Sequence, residues 1–466
     1  MEMEPDITFL ERLQGPAAII LVGLIALAFV GFAAYAHYNM DQAPHRFYKI
    51  LAGLGFCVFL FLRPEWTLMI LPFAFPYSEV LPVSPIPLLN ATNVMMAALL
   101  VSWIGHSVIL RRRIFEASVW NKPLLLFLGW ALGSSIFGVF YMGRGFADLY
   151  PYLQNYWYQM MGFILFFITY NTVREEKQVR LLVYLYVIGA GVGAIAVLRE
   201  YGSYSYGRRV AGGMGDINGA GAYFACAIVF ALELLAFRAR RVVQWLLVAG
   251  SIAGSGIGLI LTASRGAIVA CGATCGIQAV RGGPIRMLLV AITGVALFVF
   301  TPSHVKDRFA QTQEEVAAGE IDETSGGRLD IWRAAIEVFE AHPLVGVGLG
   351  QLPKAMGETS LGANRAAHNL YLETAAQMGI PGIVLLLVLF VVGLRAARRL
   401  QKETGFPRIL GNAYFYFLVT LMLANLFGGR LYSVYAAGSL SVLTALVLRS
   451  QKIAEQERRV AATNAG

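Results

Sequence analysis

The sequence predicts an all-α polytopic membrane protein, and three observations carry that prediction. Of the 466 residues, 57% are hydrophobic and 14% are charged, whereas soluble domains hold about 25% charged residues. Several apolar runs approach the roughly 20 residues needed to cross a bilayer, among them 17–35, 181–198, 220–237 and 379–394. The runs are rich in Leu, Ala, Gly and Val and lack strict alternation, so they read as helices rather than barrel strands.

Spans are expected near 17–35, 48–62, 66–82, 88–110, 123–141, 157–173, 181–199, 217–237, 243–262, 264–280, 286–301, 379–396, 408–427 and 431–448. The second and third are weak enough to be re-entrant, which makes the total about 12 to 14 spans. The acidic N-terminus has no cleavage-site pattern, so the first span is expected to remain as an anchor. The chain divides into an N-terminal bundle (1–301), a polar loop (302–378), C-terminal spans (379–448) and a tail (449–466) that reads as polar and frayed.

The net charge of +9 does not point to nucleic acid, because the basic residues cluster between apolar runs. Arg111–Arg113, Arg174–Arg180, Arg238–Arg241, Arg281–Arg286, Arg395–Arg408 and Arg449–Arg459 all fall on one side, and the positive-inside rule makes that side cytoplasmic. The loop 302–378 then lies on the opposite side. Within it, Arg328–Ala341 reads as a helix, with Leu329, Trp332, Ile336 and Phe339 on one stripe and Ser325 as a cap. A second short helix is expected to start near Ala366 and end at Gly379-Ile380-Pro381-Gly382. The cysteines Cys57, Cys226, Cys271 and Cys275 lie inside apolar runs and read as core residues.

Charge on the outer side is scarce, so its placement is informative. Arg208 and Arg209 sit in the loop 201–216, Arg265 sits in a tight turn, and Arg430 follows Gly428-Gly429 at a span end. Each has an ordinary reading, as a snorkelling side chain or half of a structural ion pair. Together, Arg209 and Arg265 suit a phosphate, which guanidinium groups bind bidentately and more strongly in a dry groove. His368 is either structural or a general base. Asn369 and Glu373 stand one helical turn apart, whereas Glu373 and His368 would not share a helix face. Gly346-Val347-Gly348-Leu349-Gly350 lacks the Gly-Lys-Ser/Thr ending of a nucleotide loop. No metal-ligand spacing occurs, and no cofactor is expected.

These segments resemble a known family. Gly327-Arg328-Leu329-Asp330-Ile331-Trp332, His342-Pro343-Leu344-Val345-Gly346, and His368-Asn369 followed after nine residues by Gly379-Ile380-Pro381-Gly382 resemble the signature region of the O-antigen ligase and polymerase family. Thr262-Ala263-Ser264-Arg265-Gly266 resembles that family's Thr-x-Ser-Arg-Gly segment. Arg209-Val210-Ala211-Gly212 with Asp216-Ile217-Asn218 resembles its Arg-x-x-Gly…Asn segment, with Ile217 where proline is usual. The resemblance covers about residues 200–395.

It implies a metal-independent, inverting glycosyltransferase of the bacterial inner membrane, working at the periplasmic face in surface polysaccharide assembly. The implied donor is an undecaprenyl-diphosphate-linked oligosaccharide, and the acceptor a glycan or the lipid A core. Arg209 and Arg265 would hold the diphosphate, and His368 would position or deprotonate the acceptor hydroxyl. Arg328, Asn369, Arg208 and Arg430 would bind substrate. The reading leans to a repeat-unit polymerase with a chain-length regulator as possible partner. Ligase and protein oligosaccharyltransferase are alternatives, and a lipid-linked oligosaccharide transporter is the competing class, opposed by charges placed at the membrane edge.

Overall fold

The computed structural model describes residues 55, 58, 64–78, 91–109, 115–141, 143, 145, 149–203, 209–236, 242–299, 306, 328–360 and 366–465. The expected spans 17–35 and 48–62, Cys57, Arg208, the basic clusters 111–113 and 238–241, and loop residues 307–327 with the Ser325 cap lie outside the described residues, apart from residues 55 and 58. Among those described, every regular element is helical.

The chain forms two compact units, residues 1–71 with 83–114, and 72–82 with 115–466. The first contains most of α1 (Pro64–Ala74) and α2 (Ala91–Ile109), an apolar helix with Ser102 buried. The second holds α3 (Asn121–Tyr141), α4 (Leu149–Thr172), α5 (Glu176–Ser203), α6 (Ile217–Leu235), α7 (Val242–Thr262) and α8 (Arg265–Gly282). It continues with α9 (Pro284–Val299), α10 (Arg328–Ala341), α11 (Leu352–Gly357), α12 (Leu370–Leu400), α13 (Gly405–Ala424) and α14 (Val434–Ala465). Among the described residues, α3, α5, α6, α7, α12 and α13 are long and apolar enough to cross a membrane.

Small residues set the helix spacing. At the α5–α7 crossing, a Cβ on Gly254 would stand 2.6 Å from the Gly191 carbonyl oxygen. Backbones that approach this closely gain packing that larger side chains would forbid. α4 lies along α14, and α6 is sheathed by α7, α8 and α13, so nearly all of α6 is buried.

Three elements differ from the sequence expectation. α4 begins at Leu149 rather than near 157, because its first turns are helical but polar and leave no apolar signal. α14 continues as helix to Ala465 where a frayed tail was expected, and its last turns carry Ala, Glu, Gln and Arg, which favour helix. On α10 the predicted limits hold, but the packed face is Ile331, Ala334, Ala335 and Val338, while Leu329 and Ile336 are exposed. The helix is rotated because the small Ala334 and Ala335 admit close packing, and the Trp332 indole turns to donate to the Ala367 carbonyl at 2.9 Å.

The glycine-rich loop 346–350 is a structural seam. Gly379 takes φ 66° and breaks the course of α12. Pro381 has no N–H to give the Gln377 carbonyl, so that oxygen accepts from Gly348 N–H at 3.0 Å and Ser134 Oγ at 2.7 Å. Ile380 N–H donates to Pro343 O at 2.8 Å, and Val347 N–H takes up the Ala376 carbonyl at 3.0 Å. The Gly-x-Gly-x-Gly run therefore repairs the backbone of a broken helix.

At the far ends of these helices, Glu116 pairs with Arg174, with Arg449 at 3.0 Å and with Lys452 at 2.7 Å. The Arg449 guanidinium lies over the Tyr170 ring, 4.3 Å from its centre. Arg281 and Arg398 also fall at that end.

Candidate active site

The opposite end of the second unit gathers the starts of α6, α8, α10 and α12. Helix N-termini carry partial positive charge and unpaired N–H groups. Among the described residues, side chains close the starts of α6 and α12. Asp216 caps α6 by accepting from Asn218 N–H at 3.3 Å and Gly219 N–H at 2.8 Å. Asn369 caps α12 by accepting from Tyr371 N–H at 3.0 Å and Leu372 N–H at 3.2 Å. Ile217 occupies the first helical position of α6, where proline is favoured but where any residue with helical φ suffices once Asp216 caps.

Arg209 and Arg265 are brought to the same corner. Arg209 Nε donates to Thr262 O at 3.1 Å, and its Nη2 donates to Asn218 Oδ1 at 2.9 Å. Ser264 Oγ donates to the same Asn218 oxygen at 3.2 Å. The turn uses Ala263 at φ 48° and delivers Arg265 as the first residue of α8. Glu200 holds the approach to this corner by accepting from Ala211 and Gly212 N–H. Arg328 opens α10. Burial and the Arg265 charge lower its pKa, so these two cations share one electrostatic neighbourhood.

His368 lies just before α12, at φ 52°, outside the helix on which it was expected. Its backbone N–H donates to Glu373 Oε1 at 2.9 Å. Glu373 therefore reaches His368 without sharing a helix face with it: the helix starts at Leu370, and the carboxylate reaches back to the backbone N–H rather than to the imidazole. Asn369, expected to bind substrate or steady the imidazole, spends its Oδ1 on the cap. The imidazole is held instead by Arg430, whose Nη2 donates to Nδ1 at 3.1 Å. Arg430 is in turn paired through Nε with Asp216 Oδ2 at 2.6 Å. Asp216, Glu373 and Glu200 were not singled out as site residues from the sequence. Asp216 was named only within the segment that resembles the family's Arg-x-x-Gly…Asn pattern, and an acidic residue immediately before an apolar helix is the signal that could have found it as a cap.

A guanidinium only donates hydrogen bonds. The neutral imidazole therefore accepts at Nδ1 and carries its proton on Nε2. Burial lowers the His368 pKa, the charges of Arg430 and Arg328 lower it further, and Asp216 opposes them. If this imidazole acts in its neutral form, activity should persist as pH falls through the ordinary histidine value of about 6.5 and decline only below it. Below that value the unfolded chain binds the proton before the folded one, so stability also falls on acidification. In Arg430→Met the acid limb should move up toward the ordinary range. A pH–rate profile for both proteins checks this, and superimposable acid limbs would contradict it.

Arg430 thus faces Asp216 and Glu373, while Arg209, Arg265 and Arg328 stand at the neighbouring helix starts. A cavity of about 550 Å³ opens beside Arg430. Of the described residues singled out from the sequence, Arg430 alone lines it, together with Asp216 and Glu373.

An α-helical multi-pass membrane protein with an arginine-rich polar site at one end of its bundle is the class that these features define. The family model described as O-Antigen ligase matches residues 249–387, a segment running from α7 into α12 and holding Arg265, Arg328, His368 and Asn369 but not Arg209, Asp216 or Arg430. The match supports the O-antigen ligase and polymerase family and glycan transfer of that type. No curated protein matches the chain.

Proposed function

We propose that the protein transfers a glycan from undecaprenyl diphosphate to an acceptor hydroxyl, with inversion and without metal, at the periplasmic face of the inner membrane. The observation that carries this reading is the clustering of Arg209, Arg265, Arg328 and His368 at one end of the bundle, opposite the basic end that the positive-inside rule assigns to the cytoplasm. The acceptor oxygen bonds to the sugar C1 as the C1–O bond to diphosphate breaks. The bonding pair leaves with the diphosphate, and the hydroxyl proton passes to solvent water as the new C1–O bond forms. Arg209 and Arg265 meet the negative charge that grows on the leaving group, with Arg328 beside them. His368 positions the acceptor through Nε2–H, since Arg430 occupies Nδ1. A repeat-unit polymerase, with a second lipid-linked repeat as acceptor, is the favoured form of the reaction. Ligation to the lipid A core uses the same groups.

The test is transfer by purified protein from undecaprenyl-diphosphate glycan in the presence of EDTA. The expected result is full transfer by the wild type. Activity that collapses with EDTA and returns with a divalent cation would overturn the metal-independent mechanism.

A further inference from the structure

The cavity beside Arg430 differs in chemistry from the arginine corner. Its lining includes Asn155, Tyr158 and Gln159 of α4, Gln377 of α12, and Tyr432 and Tyr435 around the start of α14. Arg430 is its one described cation, and that charge is already matched by Asp216 at 2.6 Å with Glu373 close by. Among the described lining residues, therefore, no positive charge is left over for a diphosphate. Amide groups and tyrosine rings instead suit sugar hydroxyls, which need donors and acceptors at short spacing, and the apolar faces of pyranose rings.

The α4 residues are built in rather than loosely displayed. Asn155, Tyr158 and Gln159 follow the spacing that puts side chains on one helix face. Gln159 Nε2 donates to Asn155 Oδ1 at 2.9 Å, and Asn155 Nδ2 donates to the Leu349 carbonyl at 2.9 Å. The seam loop thus fixes the amide pair before any ligand arrives. A volume of about 550 Å³ lies within the usual range of small-ligand sites.

We propose that this cavity is the acceptor-sugar subsite, taking an uncharged pyranose, and that Tyr158 and Gln159 help decide which sugar is accepted. The proposal rests on the transferase reading for the word acceptor. It adds a division of labour in which the corner of Arg209, Arg265 and Arg328 takes the donor diphosphate and α4 takes the acceptor. α4 lies outside the matched segment 249–387, which holds Arg265 and Arg328 of the corner but not Arg209.

The experiment uses the full chain in nanodiscs and saturation-transfer NMR with methyl glycosides of glucose, galactose and N-acetylglucosamine, with farnesyl diphosphate as the competing anion. At least one glycoside should bind the wild type, and Gln159→Met and Tyr158→Phe should each weaken it about tenfold, the effect of losing one buried hydrogen bond. Farnesyl diphosphate should bind both of those variants as it binds the wild type, should lose affinity in Arg265→Ala, and should not displace the glycoside. Displacement by farnesyl diphosphate, absence of glycoside binding, or undiminished glycoside binding in both α4 variants would overturn the proposal. The readout needs no turnover. Glycoside binding without transfer would remove the transferase reading alone, and transfer without glycoside binding would remove the subsite alone.

Discussion

Arg265→Ala is expected to lower glycan transfer by about 10²- to 10³-fold, the usual cost of deleting one group that meets charge developing in a transition state. The side chain stands at the first position of α8, immediately after the Ala263–Ser264 turn. Its charge acts on Arg328, and its backbone adjoins the Ser264–Asn218–Arg209 chain of hydrogen bonds. Removing it takes a cation from the corner without removing those bonds. The rate should therefore fall by more than any accompanying change in folding accounts for. Single-turnover transfer measured beside thermal unfolding separates the two effects. Arg265→Lys should recover only part of the rate, since an ammonium cannot bridge two phosphate oxygens as a planar fork does. Wild-type turnover in the alanine variant would remove Arg265 from the site.

Gly379→Ala is expected to be strongly damaging for a change of one methyl group, through folding rather than chemistry. Gly379 holds φ 66°, and a Cβ there would overlap the Leu344 carbonyl oxygen. That backbone, φ 66° with ψ −169°, is essentially reserved to glycine and costs an ordinary residue about 1–3 kcal/mol. Relieving the overlap means parting the seam, which strands the Ala376 carbonyl and the N–H of Val347 and Gly348 and leaves the Gln377 carbonyl to Ser134 alone, at about 1–3 kcal/mol for each buried group left unpaired. A total above about 4 kcal/mol is enough to unfold a domain of ordinary stability. The variant should fail to accumulate in membranes, or should unfold well below the wild type when followed by tryptophan fluorescence in detergent. A protein that melts with the wild type would show that the kink is not needed.

The sequence read well wherever the signal was local. α6, α7 and α10 begin within a residue of their expected positions because an acidic cap, a turn or an apolar period marks each start. The arginines were legible because charge at the outer edge of a membrane span demands a reason. Three things were hidden for a common cause, which is that they depend on which chains lie side by side. The seam between loop 346–350 and α12 looked like a failed nucleotide loop. Glu373 looked misplaced because His368 was put on the helix rather than before it. The polar face of α4 passed unnoticed because a helix that lines a cavity has no uniform apolar run.

The seam also bears on how reactants arrive. Loop 343–350 supplies hydrogen bonds that α12 cannot make for itself, so lifting it away, as a hinged cover would open, exposes several backbone groups at once. Thermal motion would rarely supply that energy. A lipid-borne reactant is therefore expected to slip in sideways between helices, along the plane in which its own hydrocarbon tail already lies.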